Sequence, residues 1–218
     1  MISETFKFSI IVPVYNEDKT ILKVLENLNN LKKYYQNIQI IVINDASTDN
    51  TENVLKPYLE NIRYMANPVN LGLAGTLNTG IKNSKSQFIV RVDADDWVHQ
   101  DYLHILRLHL NLNLDMDAIA CDYKLVDSKQ KVINICNCEK EPIGCGIMFR
   151  YENLIKIGLY DESFRAREEE DLRIRFLKKY NIERVQLPLY YYRQHDKNKT
   201  KDVEEMEKYL KELNDKHG

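Results

Sequence analysis

No apolar run in this chain approaches the ~20 residues that a bilayer-crossing helix needs; the longest, FSIIVPVY from Phe8 to Tyr15, stops far short. A membrane span is therefore excluded from the sequence reading. Charge of one sign is equally scarce. With 31 basic and 33 acidic residues the formal net charge is −2, so no global field draws the chain to nucleic acid or anionic lipid, and any anion site must be local. Cysteine is confined to Cys121, Cys136, Cys138 and Cys145, without the paired C-x2-C spacing or histidine partners of a zinc site. These read as reduced, packed thiols of a cytosolic protein. The first residues, MISETFKF, carry an acid where a secretory leader has a basic start and a long apolar run, so a cytoplasmic location is expected. Linkers, internal repeats and low-complexity segments are also missing. At 218 residues and 44% hydrophobic content, the chain is expected to fold as one domain over 1–218.

What the chain does have is alternation. Phe8 to Val12 reads as a strand, and Lys19 to Asn30 as a helix with Ile21, Leu22, Leu25 and Leu28 at helical spacing. Ile38 to Ile43 is a near-continuous apolar run, the pattern of a parallel strand covered on both faces, and Ser47, Asp49 and Asn50 offer caps for the helix that follows. Ile62 to Met65, Ala74 to Lys82 and Phe88 to Val92 continue as strand, helix and strand. The series predicts an α/β fold with a mostly parallel sheet, right-handed crossovers and helices on both faces. Ligands in such sheets bind beyond the carboxyl ends of the strands, at Pro13 to Glu17, Asn44 to Thr48 and Asp93 to Asp96. The second half is mixed. Helices are expected at Tyr102 to Leu110, Tyr151 to Ile157 and Glu168 to Tyr180, and strands at Ala118 to Tyr123, Val132 to Cys136, Ile182 to Gln186 and Tyr190 to Arg193. Asp202 to Lys216 is a charged amphipathic helix at the periphery.

Two acidic clusters carry the chemistry. RVDADDW sets Asp93, Asp95 and Asp96 directly after a buried strand, where like charges repel unless a cation sits among them. Carboxylate oxygens suit magnesium, manganese or calcium. A solvated acidic turn, with Asp101 capping the next helix, is the other reading. REEEDLRIRF crowds Glu168, Glu169, Glu170 and Asp171 at a helix start; the macrodipole favours acids there, but four exceed what capping requires, and one is a candidate general base. Asp45 ends the second strand, able to meet a nucleobase or ribose or to form an Asx-type turn. Gly72 and Gly75 precede a helix, where backbone amides can approach phosphate. YYYRQHDKNKT brings Arg193, His195, Lys197 and Lys199, a basic patch suited to a diphosphate or to a metal through His195, or simply an exposed loop.

In order, VPVYNE (Val12 to Glu17), INDASTDNT (Ile43 to Thr51), NLGLAGTLNTGI (Asn70 to Ile81), VDADDW (Val92 to Trp97) and EEEDLRIR (Glu168 to Arg175) resemble the family 2 glycosyltransferases of the GT-A fold. GIMFR, IGLYDESF and YYYRQH extend the likeness to nearly the whole chain. The resemblance implies a nucleotide-binding half over about 1–97, an acceptor-side half over about 98–200 and a C-terminal helix over 201–218. It implies a nucleotide-sugar donor, most simply a UDP-sugar, contacted by Pro13, Tyr15, Glu17, Asp45, Asn70, Gly72, Asp93 and Ala94. It places a divalent metal, Mn2+ or Mg2+, at Asp95, Asp93 and His195, with Asp96 in support. The base would be Glu169, where relatives more often carry Asp, with Glu168 competing. Asn44 stands where many relatives have a second Asp.

The activity so implied is an inverting displacement onto an acceptor hydroxyl, in a saccharide or lipid-linked saccharide of a bacterial surface glycan, at the inner face of the cell membrane. An inactive sugar-nucleotide or glycan-binding domain of the same fold is an alternative. A sugar-phosphate nucleotidyltransferase is another, although PVYNED stands where such enzymes place a glycine-rich loop.

Overall fold

A computed structural model of the chain describes residues 6–35, 37–194 and 203–218. The first half is a run of strand–helix units: β1 (Phe6–Val14), α1 (Ile21–Leu31), β2 (Ile38–Asn44), α2 (Thr51–Leu55), β3 (Arg63–Ala66), α3 (Gly72–Lys82) and β4 (Ser86–Arg91), with a single 3-10 turn after α2. β1 lies between β2 and β4, and β3 flanks β2, all parallel. The apolar runs are explained by burial on both faces. Ile10 and Val12 of β1 and Ile40 and Val42 of β2 pack into one core layer with α1, while Ile11, Ile41 and Ile43 pack into the opposite layer with α3. α3 approaches the sheet so closely that a Cβ on Gly80 would stand 2.7 Å from side chains of both Ile11 and Ile43. Only glycine fits that crossing.

β4 is the seam with the second half, which comprises β5 (Trp97–Val98), α4 (Tyr102–Leu112), β6 (Ala118–Val126), β7 (Val132–Cys136), β8 (Ile147–Arg150), α5 (Tyr151–Ile157), α6 (Glu168–Leu177), β9 (Ile182–Arg193) and α7 (Val203–His217). A nine-stranded sheet results, in the order β3-β2-β1-β4-β8-β6-β9-β5, with β7 paired to β6. β8 runs antiparallel to both β4 and β6, so the sheet turns mixed at this seam, as the weakening alternation suggested.

Two details correct the sequence reading. Ile182 to Gln186 and Tyr190 to Arg193 are not separate strands; one strand, β9, runs through both, and its register against β6 jumps from Cys121↔Val185 to Asp122↔Pro188. Pro188 has no N–H to give the ladder, and the skipped Gln186 and Leu187 are exposed, which breaks the period-2 pattern that marks a strand. β5 and β8 are too short to announce themselves in the sequence. The C-terminal helix, moreover, is more than a peripheral charged element: Tyr209 and Leu213 of α7 pack on Phe164 and Ala166, in the segment leading into α6. Among the described residues no helix is long and apolar enough to cross a membrane.

Candidate active site

The carboxyl ends of β1, β2 and β4 open onto a cleft of about 230 Å³. Pro13, Tyr15 and Glu17 form one wall after β1, Asp45 a second after β2, and Arg91 through Asp96 a third after β4. The roof is Arg165 to Glu169, with Tyr192, Arg193 and Met206 at the rim. Both acidic clusters thus face one cavity, although they lie on opposite sides of the sequence seam. Backbone geometry is unusual around it: Asn16, Ala46 and Arg167 all have φ between 56° and 62°, in the left-handed region that non-glycine residues rarely occupy.

Tyr15 is 45% exposed, which leaves its ring available to the cleft. Asp45 is buried and heavily engaged. Its Oδ1 accepts from Asn67 Nδ2 and from the Leu71 amide, both at 2.8 Å, and its Oδ2 accepts from the Gly72 amide at 2.9 Å. Asp45 therefore anchors the entry into α3 across the sheet, holding the amides of Leu71 and Gly72. A carboxylate offers about four acceptor positions, and these donors use three; Asp45 is itself one of the residues that line the cleft. The amide of Gly72 is turned to Asp45 rather than to the cavity. Gly72 has φ +76°, and Arg165 lies against its Cα where a side chain would otherwise stand. Asn70 closes the same turn: its Oδ1 accepts from the Gly72 amide at 3.2 Å, and its Nδ2 donates to the Asp45 carbonyl at 3.3 Å. Neither Asn70 nor Gly72 lines the cleft.

On the β4 side, Arg91 grips Asp93 in a fork, Nε to Oδ1 at 2.6 Å and Nη2 to Oδ2 at 2.9 Å. The buried Cys145 thiol donates to Asp93 Oδ2 at 3.0 Å; burial pushes this thiol well up, so it stays protonated. Burial opposes the Arg91 charge, but Asp93 and then Glu169 outweigh it and keep the guanidinium charged. Asp96 is buried, accepting from Tyr190 Oη at 2.8 Å and from the Arg193 amide at 2.7 Å. Burial first, then the charges of Asp95 and Asp93, raise its carboxyl well above the usual range. Asp95 and Ala94 line the cleft between them. Among the described residues, one set of ligand atoms lies within 4.8 Å of each other: Asp93, Asp96 and Cys145. Two of the three are carboxylates, the donor type that suits a hard divalent cation, while the Cys145 thiol keeps its proton in the hydrogen bond to Asp93; Asp95 lines the cleft beside this set without belonging to it. His195, Lys197 and Lys199 lie outside the described residues.

On the α6 side the four acids separate. Asp171, fully buried, receives Arg175 Nε and Nη2 at 2.8 and 2.7 Å, Lys216 Nζ at 2.6 Å and His217 Nε2 at 2.8 Å. Burial opposes its charge, and these partners outweigh it, so its carboxyl sits below the usual range. Glu170 pairs with Arg167 at 2.6 Å, and Arg167 also donates to the Met206 carbonyl at 2.9 Å. Glu168 is buried; desolvation, then the adjacent Glu169 carboxylate, push it up to about 8. Glu169 stays half-buried at the cleft. Two residues of the acidic run therefore hold structure, and two face the cavity as a coupled pair.

Arg91, Arg165, Arg167 and Cys145 were not singled out from the sequence, although all but Cys145 line the cleft. The cue was present in RAREEE, where two arginines precede the acids, and in the arginine two positions before Asp93. Nothing in the sequence shows that these cations turn inward.

Residues 9–172 match the model of glycosyl transferase family 2. The minor teichoic acid biosynthesis protein GgaB of Bacillus subtilis is 29% identical over 213 residues, covering 88% of this chain and 23% of its own length. Among solved structures, residues 1–349 of S. aureus TarS in complex with UDP superpose with a TM-score of 0.76 at 19% identity, over 95% of this chain and 64% of that one. The mannosyltransferase PcManGT of Pyrobaculum calidifontis, in complex with GDP-Man and Mn2+, superposes with a TM-score of 0.71 at 18% identity, over 89% of this chain and 59% of that one. The architecture is thus the GT-A fold, and the chain spans less than two thirds of each of these proteins.

Proposed function

This chain belongs to glycosyl transferase family 2, and from that premise we propose that it transfers a sugar, with inversion, from a nucleoside-diphosphate sugar to an acceptor hydroxyl in the synthesis of a bacterial surface glycan. The observation that carries the reading is that two carboxylate groups from distant parts of the chain, Asp93 with Asp95 and Glu168 with Glu169, line the same cleft at the carboxyl ends of parallel strands. One group suits a leaving diphosphate and the other an attacking hydroxyl.

Tyr15 stacks on the nucleobase from its exposed position, and the remaining acceptor position of Asp45 takes a base N–H, as uridine would offer. Asp95 and Asp93 hold a divalent metal, Mn2+ or Mg2+, which when bound supplies charge neutralisation at the diphosphate. Arg165 and Arg193 at the rim add positive charge on the same side. Glu169 is the base. Its neighbour Glu168 is buried and raised to about 8, so Glu168 holds its proton at neutral pH, and the half-buried Glu169 is the member reachable by an acceptor. As the acceptor oxygen bonds to the anomeric carbon, its proton passes to Glu169 and the bond to the diphosphate oxygen breaks. The reaction takes place on the cytoplasmic side, where nucleotide sugars are made. The GgaB relationship supports a surface-glycan role, and the UDP and GDP-Man complexes of the structural neighbours support a nucleotide-sugar donor with a metal.

The test is a panel of UDP- and GDP-sugars offered to the purified protein with manganese, with magnesium and with chelator, reading thermal stabilisation and donor hydrolysis. Metal-dependent stabilisation by one nucleotide, with hydrolysis of its sugar, is expected. Indifference to every nucleotide would sink the reading.

A further inference from the structure

A second cavity, about 330 Å³, opens on the other side of Glu169. Its walls are Ile147 and Phe149 of β8, Leu172 of α6, Ile182 of β9 and Ile143 of the preceding loop, with the carboxylates of Glu169 and Glu170 and the guanidinium of Arg173 at its edge. Ile147, Phe149 and Leu172 are core residues, so this is a recess in the apolar layer between sheet and α6 rather than a surface dimple. Glu169 is the residue it shares with the donor cleft. The partition is thin. A Cβ on Gly144, which lines the second cavity, would lie 2.7 Å from Arg91 Nη1 and 3.0 Å from Glu169 Cβ. Arg91 lines the donor cleft, so the two spaces approach each other at the Gly144 backbone and Glu169.

We propose that this recess holds an apolar group of the acceptor, next to the hydroxyl that Glu169 deprotonates. The inference rests on the reading of Glu169 as the base and adds the chemical class of the acceptor: a saccharide or polyol whose reacting end carries an alkyl, prenyl or aryl group, rather than a bare sugar. The physical argument is direct. A bare sugar keeps most of its hydrogen-bonding surface in water, and burying that surface against Ile143, Ile147, Phe149, Leu172 and Ile182 would strip it of water with few polar partners in return. An alkyl or aryl group loses only unfavourable hydration there. Of the charged groups at the recess, Glu169 is the one that also faces the donor cleft, and the sugar portion of such an acceptor would sit on that side. A charged neighbour at the mouth and an apolar wall behind it match a molecule that is polar at one end only.

The experiment compares octyl and methyl β-glucoside, below the micellar concentration, titrated into the full chain already saturated with UDP or GDP, whichever stabilises it, and Mn2+. Burying two or three methylenes in the recess corresponds to about a tenfold difference in affinity, so the octyl compound should bind at least about tenfold tighter. Ile182→Trp, which fills the recess, and Ile143→Asp, which places a charge at its half-buried edge, should each remove that difference while leaving nucleotide binding unchanged. Equal binding of the two glucosides, or an octyl preference that survives both substitutions, overturns the proposal. So does failure of both glucosides to bind a chain that still binds nucleotide. If the nucleotide does not bind, it is the transferase reading that fails, and the two failures are thereby told apart.

Discussion

The acidic run after β4 and the acidic run at the start of α6 look alike in sequence, each a crowd of carboxylates beside a strand or helix end, yet the structure treats their charge in opposite ways. After β4, the flanking acids Asp93 and Asp96 are each answered locally, by Arg91 and Cys145 in one case and by Tyr190 and the Arg193 amide in the other. At α6 the cations are unequally shared. Asp171 receives two cationic side chains and the His217 imidazole, and Glu170 one cation, while Glu168 is left to burial and to the charge of Glu169. Counting acids is therefore a poor guide to chemistry. What distinguishes a working carboxylate from a structural one is which cations reach it.

The largest effects are expected at the cleft residues themselves. Glu169→Gln is expected to reduce transfer by about 10²- to 10⁴-fold, and Asp95→Ala by about 10²- to 10³-fold, in steady-state assays, with unchanged circular dichroism. Only Asp95→Ala should also abolish the dependence of nucleotide stabilisation on metal; if Glu169→Gln does so too, the division of roles between the clusters is wrong. Next comes Asp171→Ala, which leaves Arg175, Lys216 and His217 facing each other without their anion. Removing one side of so buried an arrangement costs about 3–5 kcal/mol, readable in a denaturant titration. A loss under about 1 kcal/mol would mean that the hub contributes little.

Glu168→Gln sharpens the contrast through pH. A carboxyl raised from 4.5 to about 8 keeps its proton in the folded state where the unfolded chain has released it, so native stability falls as pH rises from 4.5 to about 8. The glutamine variant lacks that fall. Its advantage over the parent should grow across the window to the order of a few kcal/mol at pH 8, and denaturation curves that stay parallel from pH 5 to pH 8 would contradict the shift. The smallest effect is expected outside both clusters. Asp49 accepts from the Thr51 amide at 2.9 Å and from the Asp18 amide at 3.2 Å, and Asp49→Ala should cost about 0.5–1 kcal/mol in thermal denaturation with no change in donor hydrolysis.

Much of the first half could be read in advance, because strands buried on both faces leave continuous apolar runs and amphipathic helices leave a period. Phe8 to Val12 and Ile38 to Ile43 fall inside β1 and β2, and Ala74 to Lys82 misses α3 only by its first two residues, Gly72 and Leu73. In the second half α4, β6, β7, α5 and α6 were legible for the same reasons; the two-residue β5 and the short β8 were not, and Pro188 interrupts a strand that nevertheless continues. The acids of the site could be picked out because each follows a strand or opens a helix. The arginines could not. Arg165 and Arg167 come to the cleft because Phe164 and Ala166 pack beneath α7, and that contact is made about forty residues further along the chain.

Asp45 has a consequence for anyone who would retune this protein. Its two oxygens are pinned by three donors from Asn67, Leu71 and Gly72. An asparagine would turn its own N–H toward at least one of those donors, and a glutamate would push the turn before α3 outward by a methylene. The position is closed to both of its nearest replacements whatever ligand the cleft holds, so the scaffold fixes Asp45 independently of the base contact proposed for it. On the proposed reading, a change of nucleotide preference would have its opening at Tyr15, where an exposed ring stands on the cleft wall.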